Sequence, residues 1–173
     1  MQAAGGATDV TTVVDVLRAD QELIGRLFQQ YLDAIKDSSL EREELAKTIC
    51  DAVTRHRKAE QEILYPEIRK ASATLANAIE FADLEISRCI AHVHANPADD
   101  QRRDLALARL FDLSQRRMQT RESIVFPFIL WRLPGASMPR LTGECARRLK
   151  PAWRAAGAAV KPPTSMPHAP RPS

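Results

Sequence analysis

His56 and Glu60 stand four residues apart, so on a helix they share one face, one turn from each other. That face continues an apolar stripe running from Ile49 and Val53 to Ile63 and Leu64. A histidine and a carboxylate directed into an apolar interior are costly unless they are paired, hydrogen-bonded or bound to a metal. Helical bundles build metal sites from carboxylates and histidines on facing helices. The spacing therefore admits two chemistries: cation binding, or a core histidine hydrogen-bonded to a carboxylate. Nothing else in the chain points to catalysis. There is no nucleophile beside an evident base, no glycine-rich phosphate loop and no zinc-spaced cysteine set, so an enzyme is not expected. Cys50, Cys89 and Cys145 are odd in number and widely spaced, which reads as buried free thiols in a reducing, cytoplasmic setting. His92 and His94, two apart, face different directions near a predicted helix C-terminus, where the helix dipole favours them in solvent. His168 lies in a Pro-rich end.

Four helical segments must carry these residues. Thr12 with Asp15 forms a capping box that opens the first, whose stripe is Val13, Val16/Leu17, Ile24, Leu27/Phe28, Tyr31 and Ile35. Ser38 with Glu41 opens the second in the same way. Leu45, Ile49, Val53, Ile63/Leu64 and Ile68 form its face, and Pro66 must kink it or interrupt its hydrogen bonding. The third runs roughly from Thr74 to Val93, and Asn96-Pro97 reads as the N-cap and first residue of the fourth. The fourth carries Leu107, Leu110/Phe111, Val125 and Phe128/Ile129, holds Pro127, and closes at Leu133-Pro134-Gly135. Long helices joined by short connections pack as antiparallel neighbours. The expected fold is all-α, an up-down-up-down four-helix bundle with an extra C-terminal amphipathic helix. The expected divisions are a flexible 1–11, a bundle over 12–135, a basic helix over 136–158 and a disordered tail over 159–173.

Composition agrees with one such domain: 173 residues, 45% hydrophobic, 27% charged and only six glycines. No stretch approaches the roughly 18 apolar residues of a membrane span. From Ser137 onward there are seven Lys/Arg against Glu144, a net +6, which leaves −3 on the remainder within a total of +3. The basic helix carries Arg147, Arg148, Lys150 and Arg154 beside Trp153, and Met138, Leu141, Cys145, Leu149 and Trp153 form its apolar side. Packing of that side on the bundle is expected, rather than contact with nucleic acid or a membrane surface.

The chain also repeats itself. Ile63-Leu64-Tyr65-Pro66-Glu67-Ile68 aligns without a gap on Ile124-Val125-Phe126-Pro127-Phe128-Ile129. In this register Arg117 stands opposite His56, and Arg121 opposite Glu60. The stretch His56-x-x-x-Glu60-x-Glu62-Ile63-Leu64-Tyr65-Pro66 resembles the second-helix motif of the hemerythrin-like HHE cation-binding domains. Phe126-Pro127 is similar to the end of that family's fourth helix, and Arg18-Ala19-Asp20-Gln21-Glu22-Leu23-Ile24 to its first-helix motif. The resemblance covers roughly residues 12–133.

The resemblance implies a hemerythrin-like bundle holding two non-haem irons through carboxylates and histidines from all four helices. Carried over position by position, that set is depleted here. The first-helix histidine falls on Gln21, and the second-helix pair is kept as His56 and Glu60. The third-helix histidine falls on Asp83, and a second one a turn later on Ser87. The fourth-helix histidine falls on Arg117, and its carboxylate on Arg121 or, in the other family spacing, on Glu122. Di-iron chemistry relies on nitrogen-rich ligation, and arginine cannot shed its charge to admit a cation. An intact di-iron site is therefore not expected; the cofactor is none or a single metal ion.

The leading expectation is that Arg117 and Arg121 replace the cations, opposite Glu60 and Asp83, with Gln21 and His56 as hydrogen-bonding partners. Both arginines could instead extend out of the bundle, or His56, Glu60, Asp83 and Glu122 could keep one cation. Three functions follow from these readings. The first is a sensing, regulatory or interaction bundle. The second is a functional iron protein for dioxygen or nitric oxide binding, iron handling or iron–sulfur repair. The third is a module that binds an acidic partner through the basic helix.

Overall fold

The computed structural model describes the backbone of residues 11–34, 39–96 and 100–159, and the side chains of residues 11–34, 41–96 and 101–149. The described residues are helical with no strand. Helix α1 spans Val13–Asp33 and opens on the Thr12/Asp15 capping box, in which the Thr12 and Asp15 side chains reciprocally bond each other's backbone N–H. Helix α2 spans Ser39–Ala59, and α3 spans Tyr65–Ala71. Helix α4 spans Ala73–Ala95; its N-cap Ser72 accepts from the Leu75 N–H at 3.2 Å. Helix α5 spans Asp100–Thr120, α6 spans Phe126–Arg132, and α7 spans Met138–Ala159 after a short 3₁₀ turn at Gly135–Ser137.

The two internal prolines act alike. Between α2 and α3 the chain makes a π turn, Glu60–Leu64, closed by Tyr65 N–H donating to the Glu60 carbonyl. Between α5 and α6 a second π turn, Arg121–Val125, is closed by Phe126 N–H donating to the Arg121 carbonyl. A proline lacks an N–H, and its ring collides with the carbonyl four residues back. The wider π turn just before Pro66 and Pro127 absorbs both problems, and the rod continues. Each rod is thus one long helix with a single wide turn, and the sequence repeat is a structural repeat.

Opposed contacts fix the packing. Tyr31 reaches Asp104 while Arg18 reaches Glu122, so α1 runs antiparallel to the fourth rod. Glu85 meets Arg109 while Asp83 meets Arg117, so α4 runs antiparallel to α5. Two apolar cores result. One gathers Val13, Leu17, Leu64, Ile68, Ile79, Val125, Phe126 and Ile129. The other gathers Ile24, Leu27, Phe28, Ile49, Val53, Ile86, Val93, Leu107 and Leu110.

Helix α7 closes the first core. Leu141, Cys145 and Leu149 are fully buried in it, and the helix lies on α1 and α2. Its outward charges meet acids on the second rod: Arg140 with Glu67 at 2.8 Å, and Arg148 with Glu62. No helix among the described residues is long and apolar enough to cross a membrane. Asn96 caps the end of α4, its N–H donating to Val93 O at 3.3 Å and its side-chain amide to His92 O at 2.9 Å. The residues ahead of it, 97–99, which its expected N-cap role concerns, lie outside the described residues. Residues 1–10 of the terminus expected to be flexible, the Pro-rich tail with His168, the Ser38 cap, Pro97, and the side chains of Lys150, Trp153 and Arg154 lie outside the described residues.

Candidate functional site

Between the two apolar cores every rod turns a polar side chain inward at the same level. On α1, Asp20 and Gln21 interrupt the stripe between Leu17 and Ile24. On the second rod His56 and Glu60 stand between Val53 and Leu64. On α4, Asp83 stands between Ile79 and Ile86. On the fourth rod Ser114, Arg117 and Arg121 stand between Leu110 and Val125. Glu60 and Arg121 are the first residues of the two π turns, so the repeat places them opposite each other.

Glu60 is the hub. Arg121 donates Nε to its Oε1 and Nη2 to its Oε2, both at 3.1 Å, a two-pronged pair with each residue only 1% exposed. Arg117 donates Nη2 to the same Oε2 and Nε to Asp83 Oδ1 at 2.9 Å, so one guanidinium ties two helices' carboxylates together. The Tyr65 hydroxyl donates to Asp83 Oδ2 at 2.7 Å and accepts from Arg121 Nη2 at 2.7 Å. His56 donates Nδ1–H to Asp20 Oδ2 at 2.8 Å, and its Nε2 faces Glu60 Oε1 at 3.7 Å, beyond hydrogen-bond reach. At the edge, Gln61 donates to Asp83 Oδ2 at 3.3 Å and Arg57 donates to Ser87 Oγ at 2.8 Å.

Burial would push the Glu60 carboxyl up, but Arg117, Arg121 and His56 outweigh it and hold it well below its ordinary range. Burial also works against charge on His56, yet its contacts with Asp20 and Glu60 prevail and raise its pKa. For Arg117, burial is again the largest influence; Glu60, Tyr65 and Asp83 overcome it and raise the pKa above the ordinary arginine value. Burial and the Glu60 charge push the Tyr65 hydroxyl up, so it stays a proton donor to Asp83. Gln21 Nε2, His56 Nε2 and Ser114 Oγ are buried without a hydrogen-bond partner in the protein. All three residues line one internal cavity of about 20 Å³ beside Arg117, enough space for one water-sized molecule.

The structure gathers Gln21, His56, Glu60, Asp83, Arg117 and Arg121 into this layer. It does not bring Glu122 there: that carboxylate pairs with Arg18 Nε at 2.8 Å and Nη2 at 2.7 Å on the surface. Nor do the two arginines extend out of the bundle; their side chains are 8% and 1% exposed. His92 and His94 are exposed at the end of α4, and the three cysteines are buried and free. Burial pushes Cys50 and Cys145 up to about 12. Sequence reasoning missed Asp20 and Tyr65. Asp20 falls on the stripe between Leu17 and Ile24 at helical spacing. A buried tyrosine hydroxyl requires a polar partner.

Four helical rods closed around a layer of buried charge define a helical-bundle protein with its site in the core. The hemerythrin HHE cation-binding domain model matches residues 12–129, and the chain belongs to that family. No curated protein and no solved structure matches the chain. Among the described residues, no group of three or more His, Cys, Asp or Glu side chains is arranged to hold a metal ion.

Proposed function

We propose that this protein is a hemerythrin-fold bundle in which arginines replace the two cations, and that it serves as a sensing, regulatory or interaction module. The observation that carries the reading is the double use of Glu60: both of its oxygens accept from Arg121, and Arg117 spans from it to Asp83. The donor set is a poor match for a di-iron centre. One imidazole, His56, is at hand: Asp20 holds its Nδ1, which leaves Nε2 as a single nitrogen donor where a di-iron centre needs several. The carboxylates that would bridge cations are instead occupied by guanidiniums, which stay charged at any ordinary pH. A cation entering here would have to displace fixed positive charge and leave two arginines buried without partners. Glu60 and Asp83 are thereby paired without an ion, and the family fold can serve as a scaffold.

The test is elemental analysis of protein loaded with ferrous iron in the absence of oxygen and then desalted. The expected result is no stoichiometric iron. Two irons per chain would overturn the reading and revive dioxygen, nitric oxide or iron-handling chemistry. One iron, lost in His56→Ala, would replace it with a residual mononuclear site.

A further inference from the structure

We propose that the groove between α2 and α4, lined by Thr54, Arg57, Lys58, Gln61, Ser87 and Ile90, binds a phosphate-type oxyanion. The groove has a volume of about 270 Å³ and no acidic side chain in its lining. Its polar lining can donate: a guanidinium, an ammonium, a side-chain amide and two hydroxyls. Thr54 and Lys58 are one turn apart on α2, and Gln61, in the π turn that continues the same rod, follows Arg57 by four residues, so the four form one patch facing Ser87 on α4.

Arg57 sets the specificity. It is 8% exposed, and its Nη2 donates to Ser87 Oγ. Its Nε has no hydrogen-bond partner and lies 3.8 Å from Asp83 Oδ1. Asp83 already accepts from Arg117 at 2.9 Å and from Tyr65 at 2.7 Å. Its charge is therefore shared, and Arg57 is left undercompensated; burial accordingly lowers its pKa. Three carboxylates, Asp20, Glu60 and Asp83, face His56 and three guanidiniums, and among the guanidiniums Arg57 has the longest carboxylate contact. An anion in the groove supplies the missing charge, with Lys58 as a second, exposed contact. Tetrahedral oxyanions suit a planar guanidinium beside hydroxyl donors. Ser87 Oγ also donates to the Asp83 carbonyl at 3.2 Å, so an occupant that moves Arg57 acts on a residue of the core layer. This inference rests on the arginine-for-cation reading, because Arg57 is left with the longer contact only while Arg117 holds Asp83.

The experiment is calorimetric titration of the full chain with inorganic phosphate, and separately with phenyl phosphate, at constant ionic strength with chloride as the blank. One saturable site per chain is expected, weakened about tenfold or more in Lys58→Glu and in Arg57→Gln. Equal affinity for the two probes identifies a free oxyanion as the ligand. Tighter binding of the ester identifies the phosphate group of a larger molecule. No saturable heat, or binding unchanged in Lys58→Glu (an exposed position whose change leaves the fold intact), would overturn the proposal. Iron measured in the same samples separates the two readings. Phosphate-silent, iron-free protein removes this inference alone, whereas stoichiometric iron removes both.

Discussion

Replacing Arg121 with alanine is the sharpest probe of the buried layer. Arg121 and Glu60 are each 1% exposed, so neither charge has water to fall back on. The substitution removes both prongs on Glu60, the bond to the Tyr65 hydroxyl and the guanidinium packed 5.9 Å from the Tyr65 ring centroid. Breaking a buried pair by removing one partner costs about 3–5 kcal/mol. Arg117 stays on Glu60 Oε2, so the orphaned carboxylate keeps one cation and the loss falls near the lower end, about 3 kcal/mol. For a chain of this size that lowers Tm by about 6–12 °C. Urea denaturation followed by circular dichroism measures the free energy. Pairing Arg121→Met with Glu60→Gln in a double-mutant cycle separates the charge interaction from lost volume. A loss within about 0.5 kcal/mol, the size typical of surface substitutions, would refute the claim that this pair occupies the core.

Tyr65→Phe leaves Asp83 and Arg121 each short of one buried partner, and a loss of about 1–3 kcal/mol in denaturant midpoint experiments is expected. Stability should fall at both pH extremes. Glu60 has a folded pKa below the ordinary 4.5, so its contribution is present above that value and lost as acid approaches the depressed folded pKa. His56 has a folded pKa above the ordinary 6.5, so its contribution is full below 6.5 and lost as pH rises through the folded value. His56→Gln should flatten the neutral-to-alkaline part of the Tm profile; an unchanged profile would contradict the assignment. Leu141→Ala should cost about 2–5 kcal/mol because α7 fills the first core, whereas Arg148→Ala, breaking a half-exposed pair with Glu62, should cost no more than about 1 kcal/mol. A large Arg148 effect with a small Leu141 effect would mean that α7 is held by charge instead.

The fold was legible because each rod advertises a 3.6-residue apolar stripe and because Pro66 and Pro127 sit in matching contexts. The pattern predicted that hydrogen bonding breaks near each proline but not how. The π turn depends on keeping both the rod and the packed residues on either side, which a one-dimensional pattern does not contain. His56, Glu60, Arg117 and Arg121 were legible through the repeat register. Asp20 was not, because the family motif marks its neighbour Gln21 as the ligand position, although Asp20 occupies the buried stripe. Glu122 was placed with the site by a rival spacing. Arg121 opens the π turn facing inward, so its neighbour is rotated out toward Arg18. Arg57 carried no signal at all: a basic residue beside a histidine on a charged helix reads as solvated, and only the structure shows it buried and sharing Asp83 with Arg117.

The repeat also supplies a physical route to an ion-free core. Two related rods that both present a carboxylate from the first position of a π turn create like charges across the bundle, and such a pair needs cations between them. Changing the sign on one rod turns that repulsion into a pair that neutralises itself. Here the second rod presents Glu60 and the fourth presents Arg121 from equivalent positions, and one turn earlier His56 faces Arg117 in the same register. A single Arg121 would leave Asp83 with Tyr65, Gln61 and the more distant Arg57, and Arg117 adds a close charge by reaching across from the same rod. Tyr65, the aromatic residue before the first repeat's proline, then joins the two halves through its hydroxyl. Its counterpart before Pro127 is Phe126; both rings lie in the first apolar core, but Phe126 has no hydroxyl to bridge with. The asymmetry between the repeats is therefore what lets one side of the bundle satisfy the other. Restoring symmetry with Arg121→Glu should place two acids face to face. On the proposed reading, that variant should be unstable in the absence of divalent metal and measurably stabilised by it, with a rise in Tm that the parent chain does not show; absence of any metal-dependent rise would count against the substitution of arginine for cation.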